Sequence, residues 1–362
     1  MRAAPLHQLS QKRDIGGVTL KLKQFETLAA VLHTEFQKGV ARAKGGRQGE
    51  VYLSVDEYAD VDWDKLGFRL METDYMYIMK CCQDDEFSHG HLNRYGNIEL
   101  SPSAGVLNYA QGLFEGLKAY RKVNGNGFLI FRPEENARRM QIGSDRMCMP
   151  SPSVEQFVHA VKQTVLANKR WIPPPGKGSL YVRPLLMGSG PILGLAPASE
   201  YTFLVYAAPV GNYFKEGLAP INLVIQDESY RATPGGTGAV KTIANYSPVL
   251  KAQMQAKKKG FTDVLFLDAV DNKYLEEASS CNIFIRKVDE RLVSVEDLTD
   301  ADEVFCTGTA VVVAPVNSIT YKGQRYKYNC GEDAVSRKLY KSLTDIQMGI
   351  AEDKKGWTVE ID

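Results

Sequence analysis

The sequence has no surplus of either charge. Its 362 residues carry 44 Lys and Arg against 43 Asp and Glu, a formal net charge of +1. A groove that tracks nucleic-acid phosphates needs a basic excess, so that class of partner is excluded. Long apolar runs are missing too: none approaches the ~18 residues a membrane-spanning helix requires. The longest apolar stretches, at 201–210 and 310–316, read as buried strands. Cysteine is sparse. The six thiols, at 81, 82, 148, 281, 306 and 330, form no CxxC and no disulfide framework, which is the usage of a reducing compartment. Histidine is scattered, and the pair His89 and His91 reads as a solvated loop. A tight metal site needs three or four ligands with a supporting shell, so no metal is expected.

What is present is an ordinary globular composition, 44% hydrophobic, in a chain long enough for two domains. The first 50 residues read as an appendage that ends in the Gly-rich linker at 44–47. Before Glu50 there are nine Lys or Arg and three acidic residues, a basic, acid-poor balance that suits a targeting segment. Against that, the stretch has a single serine, and Phe25, Leu28, Leu32 and Phe36 fall on one face of an amphipathic helix. Both readings stay open. Beyond it, strands and helices are expected to alternate in a mixed α/β (α+β) fold. A small domain would span 51–214, a hinge would lie near 211–220, and a large domain would span 215–362.

Local signals place several elements. Strands are expected at 75–80, 128–131, 179–187, 201–208, 221–226, 263–268 and 281–285. Pro133 opens a helix that runs to Met147. Ser153 and Gln156 form a capping box, followed by Phe157, Val158, Val161 and Val165 on one face. A helix is expected over 246–259, closed by Gly260, and another over 333–348. The short connection at 286–289 suggests a tight hairpin pairing 283–287 with 291–295.

Three segments can carry chemistry. Lys241 follows the small-residue run Thr233, Pro234, Gly235, Gly236, Thr237, Gly238. A lysine becomes nucleophilic when desolvated or set beside another cation, although most lysines are solvated surface groups. Glu276 and Glu277 stand at the edge of an apolar strand, before Ala278, Ser279 and Ser280. A carboxylate there could keep a ring nitrogen protonated, or simply face water in a turn. Thr307, Gly308, Thr309 and Ala310 form a small-residue turn whose N–H groups could hold a phosphate or carboxylate.

Together these segments resemble the branched-chain aminotransferases, pyridoxal-phosphate (PLP) enzymes of fold type IV, in wording nearest to the plant members. The resemblance runs from about residue 61 to the end. It rests on NYAQGLFEGLKAY at 108–120, FRPEENARRM at 131–140, SLYVRP at 179–184, GGTGAVKTIANY at 235–246, EEASSCNIF at 276–284, VFCTGTA at 304–310 and PVNSITYKG at 315–323. It implies two domains with the active site in the cleft between them. It implies transamination of leucine, isoleucine and valine with 2-oxoglutarate, giving branched 2-oxo acids and glutamate. Lys241 would be the Schiff-base lysine, Tyr246 would bond the cofactor's phenolic oxygen, and Glu277 would pair with its pyridine nitrogen. Arg139 and Thr309 would hold the phosphate. Backbone groups of Thr309 and Ala310 would orient the substrate carboxylate, with Arg183 organising that region, while Phe114 and Tyr181 line the side-chain pocket. The family works as a homodimer, so Tyr109, Leu193 and Leu195 would complete a neighbouring subunit's site. The implied compartment is the plastid or mitochondrion, with the cytoplasm as the alternative.

The chain departs from this family at one place. Relatives carry a few dozen further residues between the strand at 282–285 and the segment at 290–294, including an LPGITR-like helix start that binds the PLP phosphate. Here only Arg286, Lys287, Val288 and Asp289 stand there. The expectation is weaker PLP binding, and the alternative to a working transaminase is an impaired paralogue that dimerises. D-amino-acid transamination is a more distant alternative.

Overall fold

The computed structural model describes residues 58–123, 127–211, 219–285 and 292–361. The helical face at Phe25–Phe36, the core of the hinge and the whole 286–291 connection lie outside them.

The first sheet is built around two long strands, β6 (Ser179–Gly188) and β7 (Glu200–Val210), paired antiparallel along their whole length. Around them lie β1 (Tyr75–Cys82), β2 (His91–Arg94), β3 (Gly112–Phe114), β4 (Leu117–Arg121) and β5 (Phe128–Phe131). Two helices cover one face, α2 (Pro133–Arg146) and α3 (Val154–Ala167); a short turn, α1 (Gly105–Tyr109), precedes β3. The capping box is formed: the Gln156 N–H donates to Ser153 Oγ and the Ser153 N–H to Gln156 Oε1. It sets α3 so that Phe157, Ala160, Val161, Thr164 and Val165 are buried on one stripe against the sheet. Asn168, at the helix end, accepts the N–H groups of Asp74 and Tyr75 and ties α3 to β1. His91 lies on the exposed edge strand β2 and not in a loop.

The second sheet closes on itself. β8 (Ile221–Gln226) runs parallel to β9 (Asp263–Leu267), with α4 (Leu250–Lys258) on the crossover between them. The path continues through β10 (Leu275–Ala278), β11 (Asn282–Ile285), β12 (Val304–Gly308) and β13 (Val312–Tyr321). β13 pairs with both β12 and β8, which closes the ring, and β14 (Gln324–Lys327) hangs from β13. Ile221, Leu223, Leu265, Leu267, Val316 and Ile319 fill the interior. Outside it, α5 (Val335–Gln347) packs its Leu339 against Phe305 and Val313. The last strand, β15 (Thr358–Ile361), returns to the first sheet and pairs with β5. Among the described residues no helix is long and apolar enough to cross a membrane.

Two further sequence expectations are corrected. The helix expected from residue 246 begins at Leu250, after two 3-10 turns at Ile243–Asn245 and Ser247–Val249. Pro248 disfavours regular α geometry at the residue before it, which suits the break into 3-10 turns ahead of Leu250. The hairpin expected between 283–287 and 291–295 is not formed by its described residues. Ile283 pairs with Cys306, and Ser294 bridges Tyr274. β11 is committed on both edges, between β10 and β12, so it has no edge left for the later segment.

Candidate active site

The Gly-rich turn brings Lys241 to the junction of the two sheets. At Gly238 a β-carbon would overlap that of Ala232, so a side chain would push the strand-like segment 240–242 off its path. That segment docks on β3: the Phe114 N–H donates to the Lys241 carbonyl at 3.2 Å, Thr242 Oγ1 donates to the Gly112 carbonyl at 2.9 Å, and Leu113 bridges Thr242.

Lys241 Nζ lies 2.8 Å from the Tyr246 hydroxyl and 4.4 Å from the centre of the Phe114 ring. The stem is partly exposed, but the amine end is enclosed. Desolvation first, and then the positive charges of Arg139 and Arg183, lower its pKa to about 8, while Glu115 and Tyr181 act the other way. Burial raises the Tyr246 phenol above its ordinary value, so it stays protonated at neutral pH.

Around this pair the pocket walls include Arg139, Arg231, Gly238, Glu277, Ser280, Thr307 and Thr309. Lys241, Tyr246, Glu277, Arg139 and Thr309, spread over 171 residues, thus share one cavity. β10 positions Glu277 opposite Asn282. The turn after it is pinned by a buried network in which Ser279 Oγ donates to Asp263 Oδ2 at 2.6 Å and Gln253 donates to Ser279 at 3.0 Å. Burial raises the Asp263 carboxyl, against the hydrogen bonds that favour its charged form.

Phe114, Tyr181 and Arg183, from the first sheet, cluster beside Lys241 through its contact with Phe114. The Arg183 guanidinium lies 4.7 Å from the Phe114 ring centre and 5.2 Å from that of Tyr181, and it donates to the Tyr181 hydroxyl at 3.2 Å. A β-carbon at Gly116 would overlap this hydroxyl, so only glycine leaves Tyr181 its place. Ala310 follows Thr309 but borders an adjoining cavity, where its carbonyl accepts from Lys118 Nζ at 2.8 Å. Tyr109 is not brought to this pocket. It is 38% exposed on α1 and donates to the Leu193 carbonyl, beside Leu193 and Leu195, which are 89% and 87% exposed.

Two functional groups escaped the sequence reading. Glu115, 1% exposed, accepts from Arg139 Nε at 2.6 Å and Nη2 at 2.5 Å, and from Asn136 at 2.8 Å. The signal was available, since a carboxylate inside the apolar run LFEGL has to find a partner. Arg231 is buried with its guanidinium 4.7 Å from the Tyr246 ring centre, held by the carbonyls of Ser279 and Asn245. Nothing in its spacing marked it.

An arrangement of this kind presents a nucleophilic amine beside a phenol, a carboxylate on one wall, and cations with hydroxyls on another. No α-helix N-terminus belongs to the pocket lining among the described residues. Besides Lys241 and Tyr246, the lining offers the cations of Arg139 and Arg231 and the hydroxyls of Ser280, Thr307 and Thr309. Arg139 already gives two of its nitrogens to Glu115.

The amino-transferase class IV family matches residues 112–291. The chain is 62% identical to the chloroplastic branched-chain amino acid aminotransferase 2 of Humulus lupulus, over 86% of this chain and 84% of that protein. It is 53% identical to the mitochondrial branched-chain amino acid aminotransferase 1 of the same plant, over 99% of this chain and 98% of that one. The first alignment runs over 345 positions while taking in 86% of these 362 residues, so part of the relative stands opposite gaps in this chain. Among solved structures, the Escherichia coli branched-chain amino acid aminotransferase superposes with a TM-score of 0.68 at 23% identity, over 80% of this chain and 100% of that one.

Proposed function

The chain belongs to the branched-chain amino-acid aminotransferases of the class IV aminotransferase family, and from that premise we infer that Lys241 carries its chemistry. The protein is an enzyme that transfers the amino group of leucine, isoleucine or valine to 2-oxoglutarate, with pyridoxal 5′-phosphate as cofactor. It acts in the plastid or the mitochondrion, the compartments named for its relatives. The observation that carries the site reading is the 2.8 Å contact between Lys241 Nζ and the Tyr246 hydroxyl in a pocket shared with Glu277.

The residues present suit the cofactor. When bound, PLP supplies an electron-withdrawing ring that eases loss of the substrate Cα proton. Lys241, lowered to about 8, is the amine that would anchor the cofactor's aldehyde carbon and, once displaced by the substrate's amino group, would be free to carry the Cα proton. Tyr246 would donate its hydroxyl proton toward the ring's phenolic oxygen. Glu277, on the pocket wall, would hold a proton on the ring nitrogen. Arg139, Arg231 and Thr309 are the groups that would hold the phosphate. Phe114 and Tyr181 give an apolar wall for a branched side chain, with Arg183 beside them for the carboxylate-bearing end. Borohydride reduction and peptide mapping of the PLP-loaded protein test the assignment: the phosphopyridoxyl label belongs on Lys241, and a label on Lys251 or Lys257 refutes it. A panel of L- and D-amino acids at fixed 2-oxoglutarate tests the substrate class.

The assembly we propose is a homodimer. Leu193 and Leu195, with Leu107 on α1, stand exposed beside Tyr109 in a cluster whose apolar area favours a contact over solvent. Sedimentation at micromolar concentration should give the mass of two chains. Replacing Leu193 and Leu195 by serine together should shift it toward one, and wild-type protein sedimenting as a single chain would refute the dimer.

The phosphate end carries a separate expectation. Grafting a relative's LPGITR-containing segment between Ile285 and Glu290 adds donors that Arg139, engaged by Glu115, cannot fully supply. Each charged hydrogen bond gained is worth about 1.5–3 kcal/mol, so PLP should bind at least tenfold more tightly in a titration of apo-protein. Unchanged affinity would show that the short connection is tolerated.

A further inference from the structure

Lys118 is a buried cation that the Lys241 pocket leaves unused. β4 sets it opposite Tyr181 of β6, so both side chains leave the same face of the first sheet. It is 8% exposed, and its ammonium reaches across to the second sheet to donate to the Ala310 carbonyl at 2.8 Å. Among the described residues no carboxylate pairs with it, and desolvation alone lowers its pKa, to about 8. A buried cation without a counter-charge is costly, and such a group persists where its charge is used. Ala310 belongs to the turn between β12 and β13 that also carries Thr309 into the pocket.

We propose that Lys118 is a positioning residue for the substrate α-carboxylate, fixing the Thr309–Ala310 turn through the Ala310 carbonyl and supplying the positive charge the bound carboxylate neutralises. This rests on the reading of Thr309 and Ala310 as the carboxylate-facing turn. The two effects reinforce each other. A turn held at one carbonyl keeps its N–H groups aimed without reorganisation, and a nearby uncompensated cation in a low-dielectric cleft favours an anion there. The adjoining cavity of about 440 Å³, bordered by Lys118, Tyr120, Ser179 and Tyr340, leaves room for a larger cation at the same place.

The experiment uses PLP-loaded protein and two probes of the same shape, 4-methylpentanoate and 4-methylpentanamide, of which only the first is charged and accepts at both head-group atoms. Dissociation constants are read from the cofactor absorbance, alongside kcat and KM for leucine and the PLP content. K118M should weaken the acid by about 10- to 100-fold while the amide changes by less than about threefold. KM for leucine should rise by a similar factor with kcat nearly unchanged and PLP content unaltered. K118R should restore most of the acid's affinity. Lys118→Gln, which keeps a donor without the charge, should fall between the two and serves as the neutral variant if K118M does not fold. Equal loss for acid and amide, or no loss for either, overturns the role given to Lys118. If wild-type protein itself does not distinguish acid from amide, the carboxylate-facing reading of the turn fails, and the proposal with it.

Discussion

Lys241→Ala should lower leucine transamination by a factor of about 10³ or more, the scale on which a positioned proton carrier and a covalent anchor act together. The loss should be chemical and not structural. Lys241 joins the two sheets through its backbone carbonyl, which accepts from the Phe114 N–H, and alanine keeps that bond. The alanine protein should therefore unfold near the wild-type midpoint, take up PLP without a reducible linkage, and recover part of its rate with added methylamine. The pH dependence separates a desolvated lysine from an ordinary one. Below its pKa the amine is protonated and cannot attack an aldehyde. With Lys241 at about 8, covalent uptake of PLP by apo-protein should climb with pH and level off above about 8. A solvated lysine, near 10.4, would keep climbing for roughly two further pH units. A midpoint near 10.4 would mean that the amine is open to water and that the enclosure by Arg139, Phe114 and Tyr246 is not maintained in solution.

The parts of this site differ in how far a sequence can reveal them. Lys241 and Tyr246 are five residues apart on one turn, so their pairing is a local event that a motif can capture. The capping box at Ser153 and Gln156 is local in the same sense, and it forms as read. The pairing of Arg139 with Glu115 is different, because it needs α2 laid against the strand-to-strand turn that carries Glu115, and no periodicity encodes that docking. The closure of the second sheet is a still longer-range fact. It depends on β13 finding β12 on one edge and β8 on the other, and β8 lies some ninety residues upstream. The same holds for β15, whose four residues gain strand geometry only from β5. Lys118 and Arg231 were illegible for a related reason: a single cation in a strand or a loop carries no signature until the carbonyls or rings that receive it are placed.

Glu115→Gln should destabilise the fold more than Lys241→Ala or K118M, and it should also alter Lys241. Glu115 is almost wholly buried, and both its oxygens are occupied by Arg139 and Asn136. Removing its charge leaves the Arg139 guanidinium, 21% exposed, without its counter-ion in the same cavity as Lys241. Breaking a buried pair by one partner costs about 3–5 kcal/mol, which a denaturant titration would read as a lower midpoint at unchanged slope. The second effect has a definite sign. The Glu115 carboxylate raises the Lys241 pKa and Arg139 lowers it, so losing Glu115 alone leaves Arg139 unopposed and moves Lys241 below about 8. The pH midpoint for covalent PLP uptake should fall accordingly. The double variant Glu115→Gln with Arg139→Met removes both charges. It should regain much of the lost stability, because no buried charge is left unpaired, and it should return the Lys241 midpoint toward its starting value. It should not regain PLP affinity, since Arg139 is also the cation proposed for the phosphate. Recovery of stability without recovery of cofactor binding is the result that ties Arg139 to both tasks. A double variant as unstable as Glu115→Gln alone would mean that the pair contributes shape and hydrogen bonding to the turn at Gly116, and that its charge matters little.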